Sequence, residues 1–136
     1  MPELGMTIRL AGELGEIKPK VVEALKAQGF GILTEIDVQK TLKDKLNVEF
    51  KPYQILGACN PSLSHRALSA DESIGLLLPC NVVIKQEPGE VEVSILDPEI
   101  MFSLADPSIK ETLSDLPFEA KSKLKAALDA LKSSTS

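Results

Sequence analysis

Residues 82–96 constrain the fold more than any other stretch. Gln86-Glu87-Pro88-Gly89 is a strong turn signal, and after it Val91, Val93 and Ile95 alternate with Glu92 and Ser94. That alternation describes a strand with one face on a core and one in water. The runs 82–86 and 90–96 therefore read as a β-hairpin, so the sheet of this chain must be at least partly antiparallel.

The remaining segments can be placed around that hairpin. Residues 6–10 alternate apolar and polar as a short strand does, and Gly12 and Gly15 break it. Ile17, Val21, Ala24 and Leu25 share one face of a helix over about 16–28. Pro19 is expected in its first turn, which sets the regular start near Lys18, and Gly29 is the expected stop. Residues 30–36 read as the next strand. Asp37 caps a short helix with a narrow stripe of Val38, Leu42 and Leu46, and a third strand spans 53–59.

Asn60 and Pro61 have the chemistry of an N-cap and a first helical residue, so a helix over 62–70 is expected, with Leu63, Ala67 and Leu68 facing the core. Asp71-Glu72-Ser73 is a polar turn. Pro79 interrupts the apolar run 74–85, which implies an edge strand or a bulge there. Asp97-Pro98 and Asp106-Pro107 open two short helical pieces, 98–104 and 107–114. A last helix spans 117–132, and 133–136 are expected to be a disordered tail. No repeat or long linker divides the chain, so residues 1–132 form a single domain. The predicted fold class is α+β, with the first and last helices on one face of the sheet.

Composition narrows the function classes. At 136 residues the chain can bury roughly 68% of its unfolded surface, so it needs no disulfide or metal to fold. With no Trp, one Tyr and four Phe, the core must be aliphatic. A net charge of −5, with only Arg9 and Arg66 able to grip phosphate bidentately, argues against nucleic-acid and anionic-membrane partners. Two cysteines do not make a disulfide framework and fit a reducing compartment. No signal peptide is visible, and no apolar run approaches the about 18 residues of a membrane span. A cytoplasmic location is expected.

Both cysteines, Cys59 and Cys80, lie in 53–81 with the only histidine, His65, and with Arg66. The motifs around them resemble a prokaryotic family, the domain of unknown function 302. The likeness is carried by 29–38 (GFGILTEIDV), 52–61 (PYQILGACNP), 65–68 (HRAL) and 75–83 (GLLLPCNVV), and it covers about residues 6–97. It implies a TATA-binding-protein-like β-α-β4-α fold and a homodimer. It implies no activity, cofactor or catalytic residue.

From the residues themselves, Cys59, Asn60, His65, Arg66, Cys80 and Asn81 are the candidate ligand-binding set. Cys59, His65 and Cys80 offer soft ligands for zinc or copper, with Glu35 or Asp37 as a further donor, although the spacing matches no standard zinc motif. Cys59, two residues before a helix start, could instead be an activated thiol, and a disulfide to Cys80 would need Cα atoms within about 7 Å. Three readings follow. The first is a small binding or accessory domain with a pocket for a small molecule or a soft metal. The second is a structural or interaction protein with inert buried cysteines. The third is a thiol-dependent enzyme.

Overall fold

The computed structural model describes residues 4–135. Strands β1 (Gly5–Ala11), β2 (Gly31–Asp37), β3 (Tyr53–Cys59), β4 (Cys80–Glu87) and β5 (Glu90–Leu96) form one sheet in the order β1-β5-β4-β3-β2. Every pairing in it is antiparallel. Between and after the strands lie α1 (Leu14–Ala27), α2 (Val38–Leu46), α3 (Pro61–Ala70), a 3₁₀ turn (Glu72–Leu77), α4 (Pro98–Phe102), α5 (Pro107–Thr112) and α6 (Leu116–Thr135). The fold is α+β, and the expected β-α-β4-α order is present with further helices inserted.

Alternation along the strands decides which face is buried. Ile8, Leu10, Leu56, Ala58, Val82, Ile84, Val91, Val93 and Ile95 all lie on one side, beneath Ile17, Val21 and Leu25 of α1 and Leu124, Leu128 and Leu131 of α6. Burying each large aliphatic side chain stabilises the fold by roughly 1.5–3 kcal/mol. The hairpin pairs Val82 with Ile95 and Ile84 with Val93, so its apolar positions coincide. Gly89 closes the hairpin at φ 72°, a conformation that favours glycine.

On the other face, Thr7, Ser94, Val83, Ile55 and Ile36 line up as cross-strand neighbours and stay half-buried or exposed. Beside them Glu92 takes ion pairs from Arg9 at 3.1 Å and Lys85 at 3.0 Å.

Several elements differ from expectation, each for a physical reason. α1 starts at Leu14, because the Leu14 N–H donates to Gln86 Oε1 at 2.8 Å, a cap supplied by another element. Gln86 Nε2 also donates to the carbonyls of Gly12, Glu87 and Glu90, so one side chain ties the helix start to the hairpin. Pro19 consequently lies inside the helix rather than in its first turn.

Pro79 belongs to no strand. It follows the 3₁₀ turn and precedes β4, which is the central strand rather than an edge. The sheet's irregularity lies in β2 instead, between Ile32 and Thr34. Leu68 is more than a third exposed, on the outer side of α3. The pieces expected at 98–104 and 107–114 are shorter, ending at Phe102 and Thr112. α6 continues through Thr135, so residues 133–135 are helical rather than a tail, and Ser136 lies outside the described residues.

Candidate functional site

The centre of the candidate set is the junction where β3 ends and α3 begins. Asn60 is the N-cap: its Oδ1 accepts the Leu63 N–H at 3.2 Å, and the residue is 9% exposed. Pro61 follows at the first helical position, where its missing N–H costs nothing. Gly29, at φ 85°, lies against the amide of Asn60, and a Cβ there would stand 3.0 Å from Nδ2. The stop of α1 and the start of α3 thus abut, and the left-handed backbone with this tight contact favours glycine there.

The two cysteines point away from each other. Ala58 pairs directly with Cys80, so those two side chains share the core face. Cys59, the next residue, is turned to the opposite side of the pleat. Its Sγ lies 3.2 Å from Ser64 Oγ, and it is half-buried. Cys80 is buried, with Sγ 3.8 Å from the Leu96 carbonyl. Burial pushes the Cys80 thiol up to about 11, because a thiolate there would lose its hydration. Both cysteines are free thiols.

The metal set of Cys59, His65 and Cys80 is therefore corrected. Among the described residues no three His, Cys, Asp or Glu side chains come together as metal ligands. Strand alternation separates the two thiols, and His65 is exposed on α3. Of the extra donors considered, Glu35 pairs with Lys18 at 3.0 Å, and Asp37 accepts the Lys40 N–H as the cap of α2.

The six candidates fall into three places. Asn60 and Cys80 line a crevice of about 40 Å³ under α4 and α6, walled by apolar residues such as Leu63, Met101 and Phe102. That volume has room for about one or two water molecules. Asn81 is exposed on the other side of the sheet, opposite Gly57 in register, and Cys59 faces that side too. Arg66 joins His65 on the outer part of α3, where it binds Glu119 at 2.7 Å and Asp115 at 3.1 Å on and before α6. Those carboxylates, Glu119 first, raise the pKa of Arg66. Its role here is to tie two helices together.

Two features were not anticipated from the sequence. Gly57 is enclosed: a Cβ would land on Thr34 Oγ1 and stand 2.8 Å from Pro79 Cγ. The second is the surface of residues 33–50. Leu33, Ile36, Leu46, Val48 and Phe50 are all exposed there, and α2 has no buried residue. The only forewarning was the narrow stripe of α2, which could not cover a helix on its own. Val48 and Phe50 lie outside any regular element, where periodicity carries no information.

A family model described as domain of unknown function DUF302 matches residues 6–131. Among curated proteins, none matches the chain. The chain is similar to a crystal structure of an uncharacterized conserved DUF302 protein from Bacillus stearothermophilus. That similarity has 29% identity and a TM-score of 0.82, over 94% of this chain and 98% of the other.

Proposed function

This chain belongs to the DUF302 family, and we propose that it is an interaction domain that self-associates as a homodimer through residues 33–50, with cysteines that serve the fold. One observation carries this reading. A strand edge, a helix and the loop after it together expose five large apolar side chains, and the helix buries nothing of its own. Exposed large apolar side chains concentrated in one stretch of this kind mark an interaction site.

Charge favours a second copy as the occupant. The chain carries −5, so two copies repel over most of their surface. Residues 33–50 are nearly neutral: Glu35, Asp37, Asp44 and Glu49 against Lys40, Lys43 and Lys45. Two of those lysines are already paired, Lys40 with Asp44 and Lys43 with Glu49, each at 2.6 Å. This is where like-charged copies approach at least cost.

Sedimentation equilibrium tests the reading. The wild-type chain should be dimeric at about 100 μM, and Ile36→Lys/Leu46→Glu should weaken association at least about tenfold. Both sites are exposed, so the variant's thermal unfolding should stay close to that of wild type at low concentration. A wild-type chain that stays monomeric would sink the proposal.

A further inference from the structure

Two surfaces of this chain match each other and cannot meet within one molecule. The first is α2 and its continuation. α2 and residues 47–50 carry Lys40, Lys43 and Lys45 against Asp44 and Glu49, and expose Leu46, Val48 and Phe50. The second is a groove of about 220 Å³ between the 3₁₀ turn and the α4–α5 segment. Its floor includes buried Ile74 and Ile109. Its walls include Leu76 and Leu104, at 89% and 74% the most exposed large apolar residues among those described.

The groove is net acidic, whereas α2 with residues 46–50 is net +1, with Lys45 outside the Lys40–Asp44 and Lys43–Glu49 ion pairs. Asp71 and Asp106 line it, and each is fixed by a capping bond. Asp71 Oδ1 accepts the Ser73 N–H at 2.9 Å, and Asp106 Oδ1 accepts the Ser108 N–H at 2.9 Å. Over 71–77 and 104–112 there are four carboxylates, Asp71, Glu72, Asp106 and Glu111, against the single base Lys110.

The two surfaces lie at opposite ends of the sheet. α2 leads into the start of β3, whereas the 3₁₀ turn leads into Cys80, which pairs near the end of β3 at Ala58. The length of that strand, about 20 Å at roughly 3.3 Å per residue, separates them.

We propose that α2 and residues 46–50 of one copy dock in the 71–77/104–109 groove of a second copy, reciprocally about a twofold axis. This rests on the self-association proposed above and names its receiving surface. The lysines of α2 face Asp71, Glu72 and Asp106, and Leu46 and Phe50 cover Leu76 and Leu104. Helix-in-groove contacts work this way, with apolar anchors for affinity and rim charges for register. The twofold makes each contact twice and leaves neither surface open to recruit a third copy.

The test inverts charge on each side. Lys43→Glu/Lys45→Glu and Glu72→Lys/Ser73→Lys should each lose the dimer, with association at least about tenfold weaker. Mixed in equal amounts they should regain it, because one contact is then Glu against Lys and the other is native. Leu104→Lys repeats the test from the opposite wall without touching a cap. A groove variant that dimerises like wild type overturns the proposal, and so do two monomeric variants that fail to combine. If Ile36→Lys/Leu46→Glu abolishes the dimer while the groove variants keep it, the groove is wrong and the self-association stands. A monomeric wild type overturns both.

Discussion

Cys80 gives the sharpest test of whether this protein does thiol chemistry. Burial raises its pKa from an ordinary 9.0 to about 11. Only the thiolate is nucleophilic, so the relevant quantity is the ionised fraction. At pH 8 that fraction falls from about one in ten to about one in a thousand, a hundredfold loss before steric protection is counted. In a Cys59→Ser variant, the one remaining thiol should therefore react with an aromatic disulfide reagent at pH 8 at least about a hundredfold more slowly than in denaturant. The same shift predicts a stability effect. The folded pKa lies above the unfolded one, so the native state keeps its proton where the unfolded chain loses it. The contribution is fully present below pH 9 and is lost as pH rises from 9 to 11. Two pH units correspond to about 2.7 kcal/mol at most. Lysines titrate in the same window, so the readout is the difference in urea-unfolding free energy between wild type and Cys80→Ala, followed from pH 8 to 11. Fast labelling of Cys80 in the native state, or a difference that stays flat through that window, would refute the reasoning.

Two further substitutions test the junctions that shape this region. Gly57→Ala places a methyl on Thr34 Oγ1 and against the Pro79 ring, and should cost about 1–3 kcal/mol in urea unfolding. Thr34→Ala in the same chain should recover part of the loss, and a Gly57→Ala chain as stable as wild type would show that the sheet yields there. Asn60→Ala removes the α3 cap from a buried position and should cost about 1–2 kcal/mol, whereas Asn60→Asp keeps the accepting oxygen and should fall between the two. Equal melting temperatures for Asn60→Ala and wild type would show that the capping bond contributes nothing.

The fold was legible wherever the sequence carries its own period or its own cap. The hairpin at 82–96, the core stripe of α1, and the Asp37, Asn60, Asp97 and Asp106 caps all form as read. What was hidden depends on partners distant in sequence. The cap of α1 is Gln86, 72 residues away, and no local pattern announces it. Pro79 indicated an edge or a bulge because the apolar run before it looked like strand. Residues 72–77 are instead a 3₁₀ turn, and the strand begins only after the proline. The exposed apolar surface of 33–50 was invisible for the opposite reason: apolar residues in a sequence are assumed buried until a structure shows otherwise.

Parity divides the candidate site. Cys59 and Cys80 are the right kind of pair, and the strands that bear them are neighbours. What separates the thiols is a single residue of register. Pairing Cys59 with Cys80 would have put both on one face with Cβ atoms about 5 Å apart. The observed pairing sets Ala58 against Cys80 and Leu56 against Val82. That register cannot slip, because moving β3 by one residue would turn fully buried Leu56 and Ala58 out of the core and bring Ile55 and Cys59 in. The hydrophobic pattern of β3 and β4 therefore decides against a shared thiol site before any question of reactivity arises. The same alternation sends Asn81 and Cys59 to the solvent side and Cys80 to the core. A chain that concentrates its chemically distinctive residues in 29 positions thus distributes them over two faces of its sheet, and the run of five exposed large apolar residues at 33–50 lies outside those positions.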